Sequence, residues 1–192
     1  MPTLLSPTDH RRVRWKNGLG WTTELAVEPA QGEFDWRISI AEVDMDCEFS
    51  VFPGIERSLL VLEGEGMELF VGDRPGVRLR ADGEPLAFPG DLPAHARLLA
   101  GPTRDFNVMT RRGVVEHRLE RRTIAGSLEL ARGPELEWFA YLERGSLELD
   151  GLRVAPGESA RVEPATSATS LIVRGSGVLV LVRLRALGRA TS

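Results

Sequence analysis

The longest stretch without glycine or proline, Glu33 to Phe52, repeats with period two rather than with the period of a helix. Phe34, Trp36, Ile38 and Ile40 alternate with Asp35, Arg37 and Ser39. The phase then moves by one residue, so that Ala41, Val43, Met45, Cys47, Phe49 and Val51 alternate with Glu42, Asp44, Asp46, Glu48 and Ser50. Successive side chains of a strand point to opposite faces. The pattern therefore predicts two half-buried strands, with a bulge or bend near Ile40–Ala41.

The rest of the chain follows the same rule. Ser58 to Leu62, Met67 to Val71 and Phe106 to Met109 read as strands, as do Trp138 to Leu142, Leu147 to Leu149 and Val178 to Leu184. Gly (20 residues) and Pro (12) interrupt the chain too often for a helical bundle. Only Val114 to Ala125 has room for a short helix, and its pattern is ambiguous. An internal repeat is visible. Leu62-Glu63-Gly64-Glu65-Gly66-Met67-Glu68-Leu69 resembles Leu142-Glu143-Arg144-Gly145-Ser146-Leu147-Glu148-Leu149, and Pro89-Gly90-Asp91 returns as Pro156-Gly157-Glu158. Read as strand, tight Gly turn, strand and Pro-Gly-acid turn, the repeat predicts an all-β chain of two small antiparallel barrels joined by hairpins.

Composition narrows the function classes. The formal charge of −4 gives no electrostatic reason to expect nucleic acid or an anionic membrane as partner. Cys47 is the only cysteine, which excludes an intrachain disulfide and a cysteine-cluster metal site. No stretch approaches 18 apolar residues and no leader pattern opens the chain, so a soluble cytoplasmic protein is expected. The only lysine is Lys16 and the only asparagines are Asn17 and Asn107.

Catalytic signatures are sparse. His10, His95 and His117 form no His-x-His pair, so no protein-held metal and no cofactor are expected. His95 reads as a turn or barrel-rim residue and His117 as solvated. The sequence has no Gly-x-Ser-x-Gly elbow and no phosphate-binding loop. Cys47 sits on the apolar phase and reads as an inert buried thiol. Arg111-Arg112 and Arg121-Arg122 have acidic neighbours and read as solvated faces. What remains is a set of polar residues opposite the apolar phase. Arg37 and Ser39 share one strand face, and Asn107 and Met109 share another, preceded by Asp105. Arg57 follows the turn Phe52-Pro53-Gly54-Ile55-Glu56. If this face points into a barrel, it lines a pocket whose guanidinium forks match a small carboxylate. The alternative pairs Arg37 and Arg57 with Asp35, Glu56 or Asp105 at the surface.

Five segments in order resemble the HutD/Ves family of bicupin proteins over residues 10 to 113. They are Trp15-Lys16-Asn17-Gly18-Leu19-Gly20-Trp21-Thr22-Thr23-Glu24-Leu25-Ala26, Phe34-Asp35-Trp36-Arg37-Ile38-Ser39-Ile40-Ala41, Phe49-Ser50-Val51-Phe52-Pro53-Gly54-Ile55-Glu56-Arg57, Phe88-Pro89-Gly90-Asp91 and Asp105-Phe106-Asn107-Val108-Met109. Leu19 stands where the family usually has Gly, and Cys47-Glu48 where it has Gly-Pro. The resemblance implies two cupin-like barrels without a catalytic metal, the first over residues 1–113 and a divergent second over 114–192, with strand exchange between them left open. It further implies a regulator of histidine utilisation that binds an intermediate, N-formylglutamate being the proposed ligand, with Arg57 as anchor. Ves-type members are tied to stress response.

A formylated amino diacid suits these residues: carboxylates for Arg57, Arg37 or Lys16, and an amide for Asn17, Asn107 or Thr22. Ser39, Glu24, Asp105 and Met109 complete the expected ligand-binding set. The expected function is thus a non-catalytic metabolite-binding protein, with a homodimer as a further possibility. One alternative is a cupin enzyme, an isomerase or formamide hydrolase, using Asp105, Glu24 or His95 as acid and base. The other is a protein–protein regulator whose pocket is vestigial.

Overall fold

In the computed structural model, which describes residues 1–15 and 20–188, period two becomes sixteen strands. The chain begins with β1 (Thr3–Leu5), a single 3-10 turn (Pro7–Asp9), β2 (Arg11–Arg14), β3 (Gly20–Glu28), β4 (Trp36–Val43) and β5 (Cys47–Phe49). It continues with β6 (Ile55–Glu63), β7 (Met67–Val71), β8 (Val77–Leu79), β9 (Leu86–Pro89), β10 (Ala94–Leu98) and β11 (Thr103–Arg111). The last five strands are β12 (Val115–Arg132), β13 (Leu136–Leu149), β14 (Leu152–Val154), β15 (Ser159–Val162) and β16 (Thr169–Ala186). All pairings described are antiparallel.

The strands fall into two units, Arg11–Arg112 and a second made of Met1–His10 with Gly113–Ser192. The first ten residues join the second unit because β1 pairs β15, Thr3 opposite Arg161.

Unit Arg11–Arg112 has a six-stranded sheet in the order β2-β3-β4-β11-β6-β9 and a four-stranded sheet in the order β5-β10-β7-β8. One face of each sheet packs on the other. Val43, Leu59, Val61 and Phe88 from the larger sheet meet Met67, Leu69, Val71 and Ala96 from the smaller one in a single core cluster. The strands β4, β6 and β11 are buried on both faces, since Ile38, Leu60, Phe106 and Val108 of the opposite face are also fully enclosed. Of the two expected half-buried strands, β4 is thus buried on both faces, with Arg37 and Ser39 on the inward one, and β5 leaves Glu48 exposed.

The expected bulge at Ile40–Ala41 is also absent. β4 keeps unbroken register with β11 from Trp36 to Val43. The apparent phase slip records a change of character along one inward face, polar at Arg37 and Ser39 and apolar at Ala41 and Val43. The irregularity in this part of the sheet lies on β3, between Glu24 and Ala26. The chain then crosses from one sheet to the other between β4 and β5.

The second unit is a single sheet in the order β1-β15-β13-β16-β12, with β14 on β13. Its core draws on both ends of the long strands: Trp138 and Leu142 with Leu147 and Leu149 of β13, and Leu171 and Val173 with Leu179 and Leu181 of β16. One strand can supply both only if the sheet folds over on itself in between. Glycines align across three strands at that row, Gly126 opposite Gly175 and Gly145 opposite Gly177. A Cβ on Gly145 would lie 2.3 Å from the Ser176 carbonyl oxygen, and its φ is +102°.

Two further expectations are overturned. Of the segment Val114 to Ala125, all but Val114 belongs to strand β12, because eighteen consecutive residues from Val115 pair with β16. The repeated strand–turn–strand is not a hairpin in either copy. In the first, β6 and β7 lie in different sheets and Gly64–Gly66 is the corner between them. In the second, the segment stays within the single strand β13, with a register shift between Leu142 and Arg144.

The glycine row gives a direct test. Gly145→Ala is expected to cost on the order of 3 kcal/mol, from backbone strain plus collision with β16. Gly151→Ala, at φ +88° with open space around it, is expected to cost about 1 kcal/mol. Equilibrium denaturation of both variants checks this, and equal costs would contradict the folded-over sheet.

Candidate functional site

The inward face that is apolar at Val43 and Val61 becomes polar toward the other end of the same strands. Arg37 lies opposite Met109, Ser39 opposite Asn107, and Ala41 opposite Asp105. On the other side of β11, Arg57 lies opposite Met109 and Leu59 opposite Asn107. From β3, Glu24 pairs in register with Ser39 and Thr22 with Ala41. All of these except the core residue Leu59 line one cavity of about 650 Å³ within unit Arg11–Arg112. Trp15, Phe49, Phe52, Glu48, Arg11 and Arg14 complete much of the wall.

Arg57 is placed by two Phe-Pro-Gly turns that bind each other. The Phe52 amide donates to the Gly90 carbonyl at 2.8 Å, and the Gly90 amide donates to the Ile55 carbonyl at 2.7 Å. The Gly54 amide donates to Asp91 Oδ1 at 2.8 Å, and Arg112 clamps Asp91 and Glu56 from outside. The hydrogen bond from Arg112 holds the Asp91 carboxyl below its usual range. Strand β9 then sets Phe88 opposite Arg57. Pro fixes the backbone of each turn, and the acidic residue after the second Gly caps the first.

The guanidinium of Arg57 is enclosed by aromatic rings. Its central carbon lies 5.0 Å from the Phe88 centroid, 5.3 Å from Phe49 and 5.6 Å from Phe52, a cation–π box. The residue is 4% exposed. One terminal nitrogen donates to the Ser50 carbonyl at 3.4 Å, and Nε has no partner. No carboxylate forms an ion pair with it among the described residues. Burial pulls its pKa down to about 10, with Arg37 pushing the same way and Asp105 opposing.

Asp105 is 1% exposed, and its Oδ2 has no hydrogen-bond partner. Burial pushes its pKa up to about 7, against the pull of Arg57. The Asn107 Oδ1 is likewise buried without a partner. Three buried polar groups without protein partners on one cavity wall are costly unless water or a ligand meets them. Cys47 stands close behind. Burial first, and Asp105 next, raise its thiol to about 11, as an inert core cysteine requires.

The remaining predicted residues are also located. Arg37 Nε donates to Glu24 Oε2 at 2.8 Å, so its partner is Glu24 rather than Asp35. Thr22 Oγ1 accepts from Trp15 Nε1 at 2.7 Å. Eight of the predicted binding residues (Arg57, Arg37, Asn107, Thr22, Ser39, Glu24, Asp105 and Met109) therefore line one cavity. Lys16 and Asn17, and with them Leu19, lie outside the described residues. His95 sits on strand β10 beside Glu48, 3.2 Å away, and does not line the cavity. Among the described residues no three His, Cys, Asp or Glu side chains converge as metal ligands, and no helix is long and apolar enough to cross a membrane. Arg111, Arg112, Arg121 and Arg122 are ion-paired with acidic residues. The phenylalanine box was not legible, since Phe49, Phe52 and Phe88 read as ordinary core; their place beside the Phe-Pro-Gly turns was the available signal.

The sequence profile of the HutD family matches residues 7–180. The chain belongs to the HutD family. HutD from Pseudomonas fluorescens SBW25, determined in a formate condition, is 27% identical, with a TM-score of 0.88 over 98% of this chain and 100% of that one. A conserved protein of unknown function from Pseudomonas aeruginosa PAO1 is 31% identical, with a TM-score of 0.86 over 97% and 100%. An uncharacterised 21.2 kDa protein in the hutC 3′ region of Pseudomonas putida is 39% identical over 108 residues, 55% of this chain. The chain spans 56% of that relative's length. Bacterial pirin YhhW from Escherichia coli, solved in complex with nickel(II), is 11% identical with a TM-score of 0.70 over 97% and 100%. That likeness shows the cupin-like all-β fold that this HutD-family chain shares.

Asp105 makes stability depend on pH with a definite sign. Its folded pKa lies above the ordinary 3.8, so between those values the folded state holds a proton that the unfolded state releases. Its contribution is fully present below about pH 4 and is lost as pH rises through about 7. Unfolding free energy is expected to fall more steeply between about pH 5 and 7.5 in the native protein than in Asp105→Asn, by a few kcal/mol at most. Parallel pH profiles in denaturant titrations would contradict the assignment.

Proposed function

We propose that the cavity of unit Arg11–Arg112 binds a small carboxylated metabolite of the N-formylglutamate type, without turnover, and that its occupancy modulates histidine utilisation. The observation that carries this reading is the buried guanidinium of Arg57, walled by three phenyl rings and lacking an ion-pair partner among the described residues. A buried cation without a direct ion pair is costly, and Asp105 offsets that cost only through space. The cost is offset when an anion arrives that accepts from its planar fork. The terminal nitrogens of Arg37 extend the positive wall, since Glu24 engages only its Nε among the described residues. Asn107 supplies an amide for a formyl or amide group. The cavity volume falls within the range of small-molecule sites. Membership of the HutD family relates the chain to histidine utilisation.

Calorimetric titration with N-formylglutamate tests the reading, with glutamate and urocanate as comparisons. Arg57→Met is expected to keep or raise the thermal stability of the ligand-free protein, because it replaces a desolvated charge by a hydrophobe of similar length. It is expected to weaken binding by about a hundredfold or more. Asn107→Ala is expected to weaken it about tenfold. Absence of binding by all three compounds, or undiminished binding by Arg57→Met, would contradict the proposal. Release of formate from N-formylglutamate would replace it with the hydrolase reading.

A further inference from the structure

Apart from the exposed Arg11, Arg14 and Glu48, the charges lining the cavity balance before any ligand arrives. Arg37 and Glu24 neutralise each other in a direct ion pair at 2.8 Å. That leaves Arg57 and Asp105, one positive and one negative, both almost wholly buried and not hydrogen-bonded to each other. Glu48, Arg11 and Arg14 stand on the wall at exposed positions, where water and salt screen them. Cys47 of β5, whose pKa burial and then Asp105 raise, is a neutral thiol. An incoming carboxylate would thus put a second buried negative charge beside one guanidinium. Two carboxylates sharing a dry site cannot both stay ionised.

We propose that the site binds its anion together with a proton, Asp105 being protonated as the ligand's carboxylate takes its place as the counter-charge of Arg57. The inference rests on the binding reading above and adds a linkage to it. The proton comes from solvent. It forms an O–H bond at the unpartnered Oδ2 of Asp105, which then donates to a ligand oxygen, and no other covalent bond changes. One residue thereby serves two states. Ionised Asp105 lessens the cost of the buried guanidinium in the empty protein, and neutral Asp105 becomes a hydrogen-bond donor in the complex. With its pKa at about 7 when empty, Asp105 gains its proton near neutrality, so affinity responds to pH in the range where most carboxylate sites are indifferent.

The test is calorimetry with N-formylglutamate, which has no group titrating near neutrality, in paired buffers of different ionisation enthalpy. At about pH 8.5 close to one proton is expected to be absorbed per ligand bound, and at about pH 6 close to none. Affinity is expected to fall about tenfold per pH unit above about pH 7. Asp105→Asn is expected to bind with neither buffer-dependent heat nor pH dependence over this range, and Cys47→Ala to retain both. The native protein alone decides the matter if Asp105→Asn does not fold. Binding with no buffer-dependent heat at about pH 8.5 overturns the linkage and leaves the binding reading standing. Proton uptake that survives in Asp105→Asn also overturns it. Absence of binding at every pH removes both.

Discussion

A guanidinium enclosed by Phe49, Phe52 and Phe88 is withdrawn from water and donates one long hydrogen bond in return, to the Ser50 carbonyl. Everything around it is arranged to hold that condition. Two Phe-Pro-Gly turns lock the backbone on either side, Arg112 and Asp91 brace them from outside, and β9 brings Phe88 into register opposite Arg57. Such a group is worth keeping only if something else meets its charge. Asp105 meets it in part through space, and Arg57 lines the cavity without a direct ion pair among the described residues.

The two units solve the same problem of a closed β structure differently. In the second unit the long strands fold over at a glycine row, and their inward residues from Trp138 to Leu181 form a continuous aliphatic and aromatic cluster. In Arg11–Arg112 the inward face of β4, β6 and β11 is divided. One end packs as core through Val43 and Val61, and the other presents Arg37, Arg57, Asp105 and Asn107 to a cavity. The apolar end fixes the strands, and the fixed strands aim the polar end. Rigid strands position side chains more closely than loops do, as a site relying on a few convergent groups requires.

Much of this was written in the sequence. Alternation marked the strands, and the polar phase of Arg37–Ser39 and Asp105–Asn107–Met109 marked part of the cavity wall. The errors have one cause. Alternation reports which side chains share a face, not what that face meets. Hence Ile40–Ala41 looked like a slip of phase when the inward face was turning from polar to apolar. Val114 to Ala125 looked ambiguous because β12 carries charges along a strand whose long-range pairing with β16 local pattern cannot show. The aromatic box was hidden for the same reason: a phenylalanine beside a cation and one in a hydrocarbon core carry the same one-residue signal.

The claim most exposed to refutation is that a carboxylate seats on Arg57. A crystal structure of the protein grown with N-formylglutamate tests it without reference to affinity. The account predicts density for a carboxylate paired with the Arg57 fork and flanked by Asp105 and Asn107. An empty cavity at saturating ligand, or Arg57 turned away with the compound bound elsewhere, would contradict it.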